Sequence, residues 1–221
     1  MQSFREGKYT IDLYPSAGSE RVCWIPAPFE PQGMTRLADE FKVNIAVVKG
    51  MVWDDDLTPW SAPNVPASLP PFAGHAREFM DFMLARIVPS TERRLRLGNP
   101  VRILAGISLS GLFALWCFMR TDCFRSMISV SGSFWYSGFV DWLRGATPAA
   151  GPRGAVYLSL GVEEPHASVP VFATVGKATE EVADILRGKG FDVTFQWNPG
   201  NHYSDPLPRL RRAFQALAKT E

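Results

Sequence analysis

The chain has 221 residues, 46% hydrophobic and 20% charged, with 23 basic against 22 acidic side chains and a net charge of +1. This is long enough to bury a sizeable core, most simply as one domain over residues 1–221. The charge balance offers no case for a nucleic-acid partner, an anionic membrane surface or a polyanionic substrate. No run reaches eighteen apolar residues, so no membrane-spanning helix is expected. Residues 1–8 lack the apolar stretch of a signal peptide, and the three cysteines show no C-x-x-C spacing. Cys23 and Cys117 read as reduced core residues of a cytoplasmic protein.

In chain order, Tyr9 to Tyr14 alternates as a strand with one buried face, closed by a turn over residues 15–18. Arg21 to Ile25 is a short buried strand stopped by Pro26-Ala27-Pro28. Helical spacing over 34–41 leads to the β-branched strand Val43 to Val48. Residues 51–71 have no periodicity, many prolines, two tryptophans and the triplet Asp54-Asp55-Asp56. A loop this long is either folded back on the domain or the wall of a pocket, and Trp53 and Trp60 argue against disorder. Consecutive aspartates in an extended loop point to different sides, so the triplet reads as a solvated tip with no metal site.

Residues 74–88 form an amphipathic helix through Phe79, Met80, Met83, Leu84 and Ile87, with His75 at its start as a cap or surface residue. Arg93, Arg94 and Arg96 read as a solvated basic face. Strands follow at 101–105, 126–130, 155–160 and 191–197, separated by helices at 109–119, 140–143 and 173–188 and by a Pro/Gly/Ala linker at 147–154. A final helix covers Leu207 to Lys219. Alternating strands and helices imply an α/β fold, a mainly parallel twisted sheet with helices on both faces, whose functional loops gather at the carboxyl ends of the strands.

The sharpest local signal is Gly106-Ile107-Ser108-Leu109-Ser110-Gly111, placed between a buried strand and a long apolar helix. A serine at the apex of a Gly-flanked strand–turn–helix is the arrangement that holds a nucleophile in an exposed, strained turn. The usual pattern is G-x-S-x-G. Here Ser110 takes the last position as a small residue packed against the helix. Ser108 needs a base, and three histidines exist. His202, on the Pro199-Gly200-Asn201-His202 turn after the last strand, stands on the same sheet edge and in the chain order of serine, acid, histidine. His75 and His166 fit that order less well.

The acid belongs on the loop after the penultimate strand, where Glu163 and Glu164 stand side by side. Glu164 is preferred and Glu163 is close behind; with neither, Ser108 and His202 would work as a dyad. The oxyanion donors expected are the backbone N–H of Leu109 and, from the loop after the early central strand, that of Ala27 or Phe29, because the flanking prolines carry none. Trp53, Trp60 and Trp135 are candidate walls of an apolar acyl or aryl pocket.

Residues 105–116, with Ser129-Val130-Ser131-Gly132-Ser133 and Pro199-Gly200-Asn201-His202, resemble the esterase D / enterochelin-esterase branch of the α/β-hydrolases. The loop over 53–60 also resembles small bacterial members. The likeness runs from about Val22 to the last helix. It implies the α/β-hydrolase fold, a serine nucleophile, no cofactor, and hydrolysis of a small-molecule carboxylic ester. A thioesterase, siderophore esterase or acyltransferase would use the same machinery, and a catalytically silent binding protein would share only the fold. Neither substrate nor oligomeric state can be read from the residues.

Overall fold

The structure, a computed structural model, describes residues 1–28 and 32–218. Two antiparallel strands, β1 (Gln2–Glu6) and β2 (Tyr9–Tyr14), precede β3 (Arg21–Pro26), α1 (Met34–Phe41) and β4 (Asn44–Lys49). After a short α2 (Trp53–Asp56) come α3 (Ala76–Phe82) and α4 (Val88–Leu95), then β5 (Val101–Ile107) and α5 (Leu109–Arg120). The remainder runs β6 (Ser126–Val130), α6 (Phe139–Gly145), β7 (Ala155–Gly161), α7 (Pro170–Ala173), α8 (Val175–Gly188), β8 (Asp192–Asn198) and α9 (Leu207–Leu217). The eight strands form one sheet in the order β1-β2-β4-β3-β5-β6-β7-β8, and every pairing from β4 onward is parallel.

Period-two alternation splits the strand residues between two cores. Trp24 and Leu104 face a layer with Phe79, Phe113 and Val182 from α3, α5 and α8. Cys23, Ile25, Ile103 and Ala105 face the other way, onto α1 and α9 through Leu37, Leu210 and Phe214. Helix α5 is buried along nearly its whole length, which explains its unbroken apolar sequence.

Several elements differ from expectation. β1 has a polar, largely exposed sequence and owes its existence to pairing with β2 at the sheet edge. The helix expected to stop at Val88 continues through Pro89 to Leu95 by way of a π-helical turn at Met83–Ile87. Proline lacks an N–H and crowds the carbonyl four residues back, and the wider π turn absorbs both effects. The aspartate triplet is not a solvated tip but the helical turn α2. Buried Asp56 pairs with Lys8 at 2.9 Å and accepts the Val52 N–H at 2.9 Å. Phe29 and Lys219 lie outside the described residues. No helix among the described residues is long and apolar enough to cross a membrane.

Candidate active site

Three loops converge where β5, β7 and β8 end. The first is the turn at Ser108, which has φ 60° and ψ −125°, a conformation that β-carbon-bearing residues seldom adopt. Tight packing enforces it. A Cβ on Gly106 would sit 2.0 Å from the Ser110 carbonyl oxygen, and one on Gly111 would sit 2.6 Å from Ser129 Oγ. Ser110 does more than fit. Its Oγ accepts the Ile107 N–H at 2.7 Å and donates to the Ile107 carbonyl at 2.9 Å, beyond the point where the β3–β5 ladder ends at Trp24 and Leu104.

The second loop follows β7, where a 3₁₀ turn over Glu164–His166 presents Glu164, which is 5% exposed. The third follows β8 and carries His202. Ser108 Oγ lies 3.0 Å from His202 Nε2, and His202 Nδ1 lies 2.9 Å from Glu164 Oε2. An ionised carboxylate can only accept, so Nδ1 carries the proton and Nε2 is left to accept the Ser108 hydroxyl. Burial opposes the charge on Glu164. Hydrogen bonds from His202, Ser131 and the Gly161 N–H outweigh it, holding the carboxyl below its ordinary value of 4.5. The other oxygen, Oε1, takes the Gly161 N–H at 2.7 Å and the Ser131 hydroxyl at 2.6 Å. Glu163, beside it, is exposed and uses its backbone N–H on the Gly200 carbonyl.

Leu109 opens α5, so its N–H has no helical acceptor and points out from the positive end of the helix beside Ser108. Ala27 does not fit the second donor role. It follows β3, and its N–H continues the ladder to β4 by donating to the Val48 carbonyl at 2.9 Å. A donor on the next non-proline residue, Phe29, lies outside the described residues. Ser133, 1% exposed, brings its Oγ to 3.4 Å from Ser108 Oγ.

A cavity of about 720 Å³ opens over Ser108 and His202. Trp53, Leu69, Phe72, Trp135, Phe172 and Tyr203 form much of its wall. Trp135 packs on Phe172 with ring centres 4.8 Å apart. Trp60 is not in this wall, a correction to its expected role. It turns away to stack among Tyr136, Phe139 and Trp142, and its Nε1 donates to the Ser137 carbonyl at 2.9 Å. The long loop therefore combines the two alternatives, lining the cavity with Trp53 and folding back through Trp60. His166 sits exposed at the cavity rim, and His75 is the exposed N-cap residue of α3, its side chain making no cap hydrogen bond. Cys23 and Cys117 lie in the two cores, where burial pushes both thiols up.

Among the polar side chains around the triad, Ser131, Ser133 and Arg209 receive no role from sequence. Arg209 is 2% exposed, and its Nη1 donates to Ser131 Oγ at 2.6 Å and to Glu164 Oε1 at 3.2 Å. The available signal was its i, i+4 spacing from Ala213 and Leu217, which places an arginine on the buried face of α9.

Sheet order and the strained strand–turn–helix at Ser108 together define an α/β-hydrolase fold, and solved structures share it. EstA of Aspergillus nidulans, described as a siderophore hydrolase, superposes with a TM-score of 0.75 at 19% identity, covering 99% of this chain and 93% of that one. The enterobactin esterase FES of Shigella flexneri, solved with 2,3-dihydroxy-N-benzoyl-glycine, gives 0.71 at 15% identity over 96% of this chain and 55% of that one. The uncharacterized protein YbbA of Bacillus subtilis is 25% identical over 140 residues, spanning 62% of this chain and 56% of that relative's length. Residues 22–202 match the esterase family model described as "Putative esterase", and the chain belongs to that family.

Proposed function

We propose that the protein is a serine carboxylesterase acting through an acyl-enzyme, with Ser108 as nucleophile, His202 as base and Glu164 as the acid that orients it. The observation carrying this reading is the unbroken hydrogen-bonded chain from Ser108 Oγ through His202 to Glu164, at 3.0 and 2.9 Å. Ser108 Oγ attacks the ester carbonyl and passes its proton to His202 Nε2. The Leu109 N–H stabilises the oxyanion, one such donor being worth about 10²–10³ in kcat. The imidazolium, held against Glu164, protonates the departing alcohol, and water admitted in its place is activated by His202 to release the acid. The mechanism draws on no cofactor.

The cavity wall supports an uncharged acyl or aryl substrate. Aromatic and aliphatic side chains make much of it beside the polar Asn64, Ser168 and Asn201, it carries Asp54 and Glu163, and it includes no lysine or arginine among the described residues. An aromatic acyl group, of the kind named in the ligand of the Shigella structure, would stack on Trp135 and Phe172. The test is hydrolysis of p-nitrophenyl acetate and butyrate by wild type and Ser108→Ala. Turnover that disappears with Ser108 supports the reading, and turnover that survives the substitution ends it.

A further inference from the structure

We propose that Arg209 is a positioning residue that locks the Glu164–His202 pair in working geometry and tempers its charge; this rests on the triad reading above. One guanidinium spans two loops. Nη1 holds Glu164 Oε1 and Ser131 Oγ, while Nη2 donates to the carbonyls of Asn201 at 2.7 Å and Pro199 at 3.3 Å, immediately before His202. Backbone bonds from Val162 to Asn198 and from Glu163 to Gly200 also join these loops, but neither touches the acid or the residue next to the histidine. The seat is built for the guanidinium. A Cβ on Gly161 would stand 2.4 Å from the Gly200 carbonyl oxygen, 2.8 Å from Nη2 and 3.0 Å from Glu164 Oε1, so glycine here lets both the β8 loop and the guanidinium close on the acid.

The contacts divide the work of the carboxylate. Oε1 is saturated by Gly161, Ser131 and Arg209, which leaves Oε2 to His202. Rotation of the carboxyl would break three hydrogen bonds, so the acceptor for Nδ1–H is fixed. The buried cation, 3.2 Å from Oε1, pairs with the Glu164 charge, and a neutral side chain in its place would leave that charge facing the imidazole alone. The other titratable side chains lining the cavity are Glu163 and His166 on the β7 loop, Tyr203 edge-on to the imidazole, and Asp54 of α2.

The experiment is the kcat and KM of Arg209→Met and Arg209→Lys on p-nitrophenyl butyrate, followed through the acid limb of the kcat/KM–pH profile. Misplacing a catalytic group by about 1 Å costs about 10²-fold, so Arg209→Met is expected to lose about that factor in kcat while KM changes by no more than about threefold. Its acid limb moves to higher pH. Arg209→Lys keeps the charge but cannot fork between two loops. It is expected to keep the wild-type acid limb and to recover only part of kcat. Folded variants with wild-type kcat and an unmoved limb overturn the proposal, and so does failure of both variants to fold, which would assign Arg209 to stability alone. Wild-type turnover that does not depend on Ser108 sinks the underlying triad reading instead, an outcome visible in the Ser108→Ala control.

Discussion

Ser110 closes the turn on Ile107 with two hydrogen bonds, accepting its N–H at 2.7 Å and donating to its carbonyl at 2.9 Å. The small residue that departs from the usual G-x-S-x-G pattern thus performs work glycine cannot. Ser110→Gly would restore the common pattern while leaving both Ile107 backbone groups without these partners. It is expected to lower unfolding stability by about 1–2 kcal/mol in urea denaturation. Ser110→Ala should lose a similar amount, and wild-type stability in both would show that the bonds carry no net weight.

Gly106 has no such latitude. An added Cβ would stand 2.0 Å from the Ser110 carbonyl oxygen, so Gly106→Ala forces β5 and α5 apart. The expected result is little soluble protein, or a folded protein with esterase activity reduced at least about 10²-fold through displacement of Ser108. Gly145, whose added Cβ meets nothing within 4 Å, is the control and should accept alanine.

The two glutamates of the β7 loop are expected to separate cleanly. Glu164→Gln removes the charge facing Nδ1 and weakens the bond to Arg209, and loss of the corresponding acid in such triads costs about 10⁴ in kcat. Glu163→Gln should remain within about twofold of wild type. Equal, small losses from both would favour a Ser108–His202 dyad.

Glu164 also ties stability to pH. Its folded-state carboxyl sits below the ordinary value of 4.5, so the unfolded chain binds the proton more readily. The stabilisation is present in full above that ordinary value and is lost as pH falls through the lower folded-state value. Denaturation melts of wild type and Glu164→Gln should therefore converge as the pH is lowered below 4.5. Curves that stay parallel would mean that Glu164 is not ionised in the folded protein.

The tryptophans are expected to divide as the cavity divides them. Trp135→Ala should raise KM for aromatic esters more than for acetate. Trp60→Ala should leave that preference intact and lower stability by about 2–3 kcal/mol, because it removes a half-buried ring from a cluster rather than a wall. In the same panel, an anionic acyl group such as succinate is expected to be the poorer substrate beside Asp54 and Glu163.

What sequence discloses and what it conceals follow from the range of the interactions. The turn at Ser108 is legible because its requirements are local: small neighbours, a buried strand before, an apolar helix after. The later strands are legible for the same reason, each carrying its own apolar pattern. β1 is not, since Gln2–Glu6 is a strand only because β2 offers it an edge. Ala27 is misassigned by sequence because the partner of its N–H, Val48, lies on a strand distant along the chain. Trp53 and Trp60 look alike in composition, and only the fold sends one to the cavity and the other to α6. Arg209 is hidden by helix periodicity that marks its face as buried without naming what it meets there.

The most direct measurement of the central claim is covalent capture of the nucleophile. Incubation with a fluorophosphonate, followed by intact mass and peptide mapping, is expected to add one phosphonyl group per chain on Ser108. Labelling should be absent in Ser108→Ala and greatly slowed in His202→Ala. A wild-type protein that stays unmodified under conditions that label a reference serine esterase, or that carries the label on another residue, would contradict the account.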